Sequence, residues 1–494
     1  RWNVDEQETA VRPVMEWMRE DDAGWSNKRR IEFSADIIEP YSSDTGMFHS
    51  ILPLHDHPKW NGKITRIRFR FQGLEKGDTL LIRSVFTHWD TRHLVNNAIF
   101  IKAVYEYFRW TGDMTFLQEQ MPRLRKAMNY MAEEGNGRAL NHIRCDWHGH
   151  DGRPGFTVNA DGTKTFHVGQ GKGGNYWDLL PFGWDDMYTT THYYASLLAM
   201  ADLEEVVGGN SKALRRHAAD VKKTTNETFF DEKAGRFVGC IDADGIAHDY
   251  GFTFVNLEAI HYGIATEEHA EAIMEWIEGK RIVEGDTSTG ADIYRYALAP
   301  RATTKRNVEW YSFAWTGPET LPFGGQVQDG GAVLGFSFYD VMSRIKTLGA
   351  DNAWTRLMEI REWDEEVAAY GGYRKYYNDG KGGTTLQGGG TAGGVGIDFE
   401  FTESSMLAAA IPFGFMGLRP DGRVLNIEPH LPKACPEMTV RNLLYHGVPM
   451  DVTVSECRIK LVVKSDPTNP FTVKFKNEEY YIKGAGTFLS SPEG

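Results

Sequence analysis

Cysteine is scarce in this chain, with four residues in 494. Cys145, Cys240, Cys435 and Cys457 lie far apart and form no CxxC pair. That spacing excludes a disulfide framework or a cysteine zinc site and reads as a set of buried thiols. Positive charge is also short: 54 Lys and Arg face 68 Asp and Glu, for a net charge of −14. Binding phosphates needs basic clusters, so neither nucleic acid nor an anionic membrane is expected as the main partner. No apolar run approaches the roughly 20 residues of a membrane helix. There is no disordered tail or low-complexity tract, and no GxxxxGK[ST] phosphate loop. The chain begins at Arg1 with no signal-like apolar stretch behind it, which suggests a processed or trimmed product. Localisation is left undetermined, with the cytoplasm favoured.

What the chain does have is aromatics and glycine: 14 Trp, 21 Tyr, 27 Phe and 52 Gly. Much of this serves core packing, yet many of the rings stand beside Gly, Asp or His in predicted loops, where packing explains them less well. The length calls for two or three domains. Over Glu8–Arg19 the residues Val11, Val14, Met15 and Met18 form one stripe and predict an amphipathic helix. From residue 30 to 84 the period changes to two. Ile64–Phe71 alternates, Gly77-Asp78 turns, and Thr79–Ser84 follows, which predicts a hairpin closing part of a β-sandwich.

A helical period then persists for more than three hundred residues. Helices are predicted at 93–111 and 115–134, 186–207 and 211–230, 252–264 and 267–278, 331–348 and 353–369, with a last one at 402–416. The motifs Leu180-Pro-Phe-Gly183, Leu321-Pro-Phe-Gly324 and Ile411-Pro-Phe-Gly414 read as recurring turn chemistry. Paired helices with long Gly- and aromatic-rich loops predict a mainly α protein, an (α/α)6 toroid with its loops gathered into a cleft. After Gly417 short alternating runs return, predicting a small antiparallel β-domain. The expected division is 1–85, 86–417 and 418–494.

The stretch Gly174–Tyr194 sets Asp178, Asp185 and Asp186 among Trp177, Trp184 and several Tyr. Asp185 and Asp186 stand where a helix begins and read as N-terminal caps. Asp178 has no such role. Between Trp177 and Leu179 its pKa is expected to rise, so that it can donate a proton at neutral pH; a structural hydrogen bond to the loop is the alternative. In Cys145–Gly152 the residues Asp146, His148, His150 and Asp151 invite a metal, but they lack the helical i, i+4 spacing that presents two His to one ion. Recognition of sugar hydroxyls by Asp146, Trp147 and His150 is preferred, with a plain polar loop as competitor. The run Leu386–Ser405 is a glycine loop followed by Asp398, Glu400 and Glu403, of which Glu403 is a candidate cap. Trp89, Asp90, Arg92 and Asn97 open the first long helix and suit stacking and bidentate hydrogen bonding to a terminal sugar. Gln328, in the polar-glycine run 326–331, is a further wall candidate.

Together these parts resemble the (α/α)6-barrel glycosidases and phosphorylases, the group that includes glycoside hydrolase families 65, 15, 94 and 78. The matching pieces are WDTRHLVNN, NYWDLLPFGWDDMYTTTHYY, VQDGG, DFEFTESS and GLRPDGRVLNIEPHLP, over about residues 86–490. The resemblance to family 65 implies a catalytic acid at Asp178, where that family carries Glu. The resemblance to the hydrolases of the wider group implies a base carboxylate from the loop before the last barrel helix, at Glu400 or Glu403. The expected activity is inverting, exo-acting glycoside hydrolysis. Carbohydrate is the expected partner, no metal or organic cofactor is needed, and a homo-oligomer is left open. The alternatives are a phosphorylase, with the Gly388–Gly396 loop holding phosphate, and a non-catalytic carbohydrate-binding protein.

Overall fold

The computed structural model describes residues 2–4, 11–34, 37–38, 48–50, 52, 54, 57–82, 85, 94–145, 156–158, 164–166, 180, 184–242, 245–278, 302–305, 307, 329–330, 335–372, 375 and 402–490. They fall into two compact units, Arg1–Thr91 and Arg92–Gly494.

The first unit is built from β1 (Trp2–Val4), β2 (Arg12–Arg19), β3 (Arg30–Glu32), β4 (Ile37–Ile38), β5 (Phe48–His49), β6 (Ile64–Gln72) and β7 (Leu80–Ile82). One sheet runs β3-β2-β6 and the other β4-β5-β1-β7. Two expectations fail here. Where it is described, from residue 11, the stripe predicted as a helix over 8–19 is a strand: β2 is the central strand of its sheet and buries Pro13 to Trp17 without a break. With both faces covered, period-two alternation disappears and the apolar positions mimic a helical stripe. Glu16, 2% exposed, is tolerated there because Arg68 and Arg70 of β6 pair with it. Trp17 is fully buried, donating its indole N–H to the Lys59 carbonyl at 3.2 Å. Nor do the strands at 64–72 and 80–82 form a hairpin. β6 pairs with β2 and β7 with β1, so the Gly77 turn carries the chain from one sheet to the other.

The second unit opens with α1 (Leu94–Thr111), α2 (Met114–Glu133) and the single turn α3 (Gly137–Leu140). Short strands follow: β8 (Arg144–Cys145), β9 (Phe156–Val158), β10 (Lys164–Phe166) and β11 (Trp184–Asp186). Next come α4 (Met187–Val206) and α5 (Ser211–Phe229), then β12 (Phe230–Asp231), β13 (Arg236–Phe237), β14 (Cys240–Ile241) and β15 (Ala247–His248). The helical series continues through α6 (Thr253–Tyr262), α7 (Glu267–Glu278), α8 (Phe336–Thr347) and α9 (Ala350–Ala369).

Burial sorts these helices into inner and outer members. In α4 every residue from Met187 to Leu197 is buried, and in α6 every residue from Thr253 to Ile260. Helices covered all round belong in the interior. Helix α5 buries only Ala218, Val221, Thr225 and Phe229, one stripe at helical spacing. The inner members touch in the order α1, α4, α6, α8, and each packs with the helix that follows it as an outer partner. Local sequence sets the ends. Gly112, at φ +65°, stops α1, and the Asp113 carboxylate accepts the Phe116 N–H at 2.9 Å to start α2. A Cβ on Gly112 would come within 2.8 Å of the His446 ring, so glycine also permits a close approach there.

The predicted last helix is helical but not α: Thr402–Ala409 is 3-10 and Ala410–Phe415 is π. Pro412 has no N–H to donate, and the Met416 N–H reaches back five residues to the Ile411 carbonyl at 2.9 Å. The Ile411–Gly414 motif therefore sits inside a helical segment rather than a turn.

Beyond it lie β16 (Leu418–Asp421), β17 (Val424–Ile427), β18 (Glu437–Tyr445), β19 (Val448–Ser455), β20 (Ile459–Val463), β21 (Phe471–Phe475), β22 (Glu478–Ile482) and β23 (Gly486–Leu489). They form two sheets, β16-β17-β21-β22 and β18-β19-β20-β23, antiparallel except for the parallel pair β17–β21. Along β19 buried and half-buried residues alternate strictly, the pattern of a strand with one covered face. Phe338, Val341, Leu357 and Phe415 of the helices share one core with Leu425, Met450 and Val452 of the strands. The thiols do not all conform to expectation: Cys240 is buried, but Cys435 is half-buried and Cys457 exposed.

Candidate functional site

The N-terminal end of α4 carries a four-stranded platform in the order β15-β14-β11-β8. Its strand β11 is the end of the aromatic and acidic run 174–194. Trp184 begins it with φ +61°, a left-handed conformation that costs a bulky residue on the order of 1–3 kcal/mol. The half-buried indole lies beneath the Arg144 guanidinium, 4.9 Å from ring centroid to carbon. Arg144 also holds Asp185 with two bonds of 2.6 and 2.9 Å, and His142 adds one of 2.8 Å. Burial alone would raise the Asp185 pKa, but the bonds from His142 and Arg144 outweigh it and hold the carboxyl below its usual range. Asp185 is thus an anion with no proton to give.

Asp186, fully buried, accepts the Thr189 N–H at 2.8 Å and caps α4. Of the two expected caps only Asp186 is one. Successive residues on a strand point to opposite faces, so Asp186 meets the helix while Asp185 meets Arg144 and His142.

A polar column crosses the inner helices below this platform. Lys102 of α1 lies 2.5 Å from His192 Nδ1 of α4 and donates to the Tyr262 hydroxyl of α6 at 2.9 Å. The Tyr262 hydroxyl lies 3.2 Å from that of Tyr339 on α8. His192 Nε2 stands 2.9 Å from Glu258 Oε2, though out of line for a hydrogen bond. Desolvation lowers the Lys102 pKa to about 8 against the pull of Glu258 and Glu106. Desolvation, with Lys102 next in weight, lowers that of His192 as well, consistent with a neutral imidazole accepting at Nδ1. This column fixes how α1, α4, α6 and α8 lie against one another. Nothing in the sequence singled it out except polar residues on α4 and α6, which are buried all round over 187–197 and 253–260.

Two further clusters tie the segments flanking α6. Asp249 takes two bonds from Arg236, at 2.6 and 3.0 Å, with Lys305 Nζ at 3.8 Å. Asp329, 2% exposed, accepts from the Thr303 hydroxyl, the Asn307 N–H and the Asn307 amide, each at 2.9 Å. The carboxylate of the 326–331 run therefore binds the 303–307 segment instead of facing a ligand. Among the described residues no group of three His, Cys, Asp or Glu side chains converges as a metal site.

Of the sequence-predicted site residues, Asn97 lies half-buried in the first turn of α1, and Trp184 is placed as above. Glu403 falls in the 3-10 turn at 402–409, its side chain outside the described residues. Trp89, Asp90, Arg92, Asp146, Trp147, His150, Asp151, Trp177, Asp178, Gln328 and Glu400 lie outside the described residues. The residues that sequence reading missed are His142, Arg144 and the Lys102–His192–Glu258 column.

Residues 418–482 match the glycosyl hydrolase family 65 C-terminal domain. No protein of curated function matches the chain in sequence. Among solved structures it is similar to a GH78 family rhamnosidase of Bacillus sp. GL1, at 16% identity and a TM-score of 0.42, over 77% of this chain and 33% of that one. A sialidase is matched at 14% identity and a TM-score of 0.45, over 75% of this chain and 31% of that one. An alpha-L-rhamnosidase from Dictyoglumus thermophilum is matched at 13% identity and a TM-score of 0.36, over 79% and 39%. The chain thus spans between about a third and two fifths of these proteins. The family match is confined to the C-terminal strands from β16 to β22.

Proposed function

We propose that the protein is an inverting, exo-acting glycoside hydrolase on an (α/α)6 toroid, divided at about residues 85 and 417. The observation that carries this reading is the family 65 match over 418–482, on strands whose core is continuous with the helices α8, α9 and the 402–415 segment. A second support comes from the acids of the 174–194 run. Asp185 is bound by Arg144 and His142, and Asp186 caps α4, which leaves Asp178 as the carboxyl of that run available for proton transfer.

In this reading Asp178 protonates the glycosidic oxygen, and Glu400 or Glu403 activates a water on the opposite face. The carboxyl separation for inversion is about 6.5–9.5 Å. Asp178 precedes α4, Glu400 precedes the 402–415 segment, Glu403 lies in its first turn, and the run holding Gln328 precedes α8. Inner helices that alternate with antiparallel outer partners present their N-terminal ends on one side, which supports a shared cleft. Trp177 and Trp184 stack on the sugar. Trp89, Asp90, Arg92, Asn97, Asp146, Trp147, His150, Asp151 and Gln328 hold its hydroxyls.

The test is a panel of nitrophenyl glycosides and disaccharides, with and without phosphate, read by product anomer in NMR. Asp178→Asn is expected to lower kcat by at least 1,000-fold, on the order of 4 kcal/mol, with unchanged thermal unfolding. Near-normal turnover in that variant ends the assignment. Cleavage that requires phosphate makes the protein a phosphorylase, and binding without cleavage makes it a carbohydrate-binding protein.

A further inference from the structure

At the far end of the inner helices is a cavity of about 560 Å3. Its walls are the last two turns of α1, the last turn of α4, the start of α5 and the strand β16 with the turn after it. Small-molecule sites occupy about 300–1,000 Å3. Helix α4 is 20 residues long, or about 30 Å at 1.5 Å per residue, so this cavity is far from Trp184 at the other end.

The lining is charged yet balanced: Arg109, Arg215 and Arg419 against Asp202, Glu205 and Asp421, three of each sign. Some of these groups build the wall. Arg109 donates through Nε to the Pro420 carbonyl at 2.7 Å, fastening α1 to the β16 end. Arg215 spends only Nη2, on Asp202 at 2.6 Å and Glu205 at 3.1 Å. Among the described residues its Nε and Nη1 make no other hydrogen bond, the Asp421 carboxylate has no hydrogen-bonding or ion-pair partner, and Arg419 reaches only Glu428 at 3.5 Å. Free donors and a free acceptor thus share a cavity that also presents apolar Val206 and the half-buried ring of Tyr105.

An anion would gain from the arginines and lose as much to the carboxylates, and a cation the reverse. A neutral polyol satisfies donors and acceptors together and lays its C–H faces on the apolar wall. We propose that this cavity is a second binding site, for a neutral oligosaccharide, remote from the catalytic cleft. The sugar class rests on the reading of the protein as carbohydrate-active.

The test is calorimetric titration of the full chain with neutral malto-, xylo- and cello-oligosaccharides, using Asp178→Asn to prevent turnover. Val206→Trp fills the cavity from an exposed position, and Arg419→Ala removes a donor with little packing. Binding weakened at least tenfold by Val206→Trp and measurably by Arg419→Ala, and not displaced by inorganic phosphate, is expected. Both variants should cleave small glycosides as the parent does. Oligosaccharide binding that neither variant weakens, binding that phosphate displaces, or no oligosaccharide binding at all overturns the proposal. A protein that cleaves no glycoside but keeps Val206-sensitive binding would remove the catalytic reading and leave this site standing.

Discussion

Lys102 offers a direct test of the polar column between the inner helices. Its folded pKa, about 8, lies below the 10.5 of a free lysine, because burial penalises the ammonium more than Glu258 and Glu106 favour it. The unfolded chain therefore binds more protons than the folded one between those two values, and stability must rise with pH across that window. A shift from 10.5 to 8 is 2.5 pKa units, or about 3.4 kcal/mol at about 1.36 kcal/mol per unit. Lys102 keeps some exposure, so solvent screening trims the expected effect to about 2 kcal/mol. The perturbation is Lys102→Met, which keeps an unbranched side chain one atom shorter and removes the titration. Loss of the contacts to His192 Nδ1 and the Tyr262 hydroxyl adds an offset to the variant that does not follow the lysine titration. Urea unfolding of parent and variant, followed by circular dichroism at half-unit steps from pH 7.5 to 10.5, isolates the lysine as the change in their difference. The parent should gain about 2 kcal/mol on the variant over that range. A difference constant to within about 0.5 kcal/mol would mean that the ammonium is solvated and that the column is not the closed network described above.

Asp340 is 1% exposed and bonds the Nε atoms of Arg344 and Arg356, each at 2.6 Å. Burial raises its pKa, but the two guanidiniums prevail and hold it at about 2. Asp340→Asn leaves Arg344 paired with Glu278 and Arg356 with Glu359 but removes the buried anion between them, and should cost about 3 kcal/mol at pH 7 in urea unfolding; the parent's advantage persists above about pH 4 and is lost as pH falls toward 2. Asp186→Ala should cost about 1–2 kcal/mol through the lost cap, and should raise KM more than it lowers kcat by loosening the backbone next to Trp184; an unchanged KM would separate Trp184 from substrate. Gly417 sits at φ +64° with an added Cβ 1.8 Å from the Glu428 carbonyl oxygen, so Gly417→Ala should lower the thermal midpoint clearly, and an unchanged midpoint would refute the close approach of the Gly417 and Glu428 backbones beside the β16–β17 pair.

Much of the helical series was legible in the sequence because its signals are local. Gly112 and Asp113 end one helix and begin the next whatever surrounds them, and the predicted span 267–278 is the observed α7. The strands were harder, since pairing partners lie far off in sequence. The alternation at 64–71 located β6, but nothing local said that it pairs with β2 rather than with the next strand. The stripe at 8–19 misled because burial on both faces removes the alternation by which a strand is recognised. Parallel pairing of β17 with β21 is likewise a long-range decision.

The candidate site divides the same way. The residue types of the 174–194 run, aromatic rings interleaved with carboxylates, are what suggested sugar chemistry from the sequence, while Asp178 itself lies outside the described residues. Sequence determined which groups are on offer, because composition and local spacing are properties of the chain alone. Only tertiary structure decided that Asp185 is an anion bound to Arg144 and His142 while the adjacent Asp186 caps a helix. The partners of Asp185 are some forty residues away, and the pleat of a three-residue strand determines which carboxylate meets them.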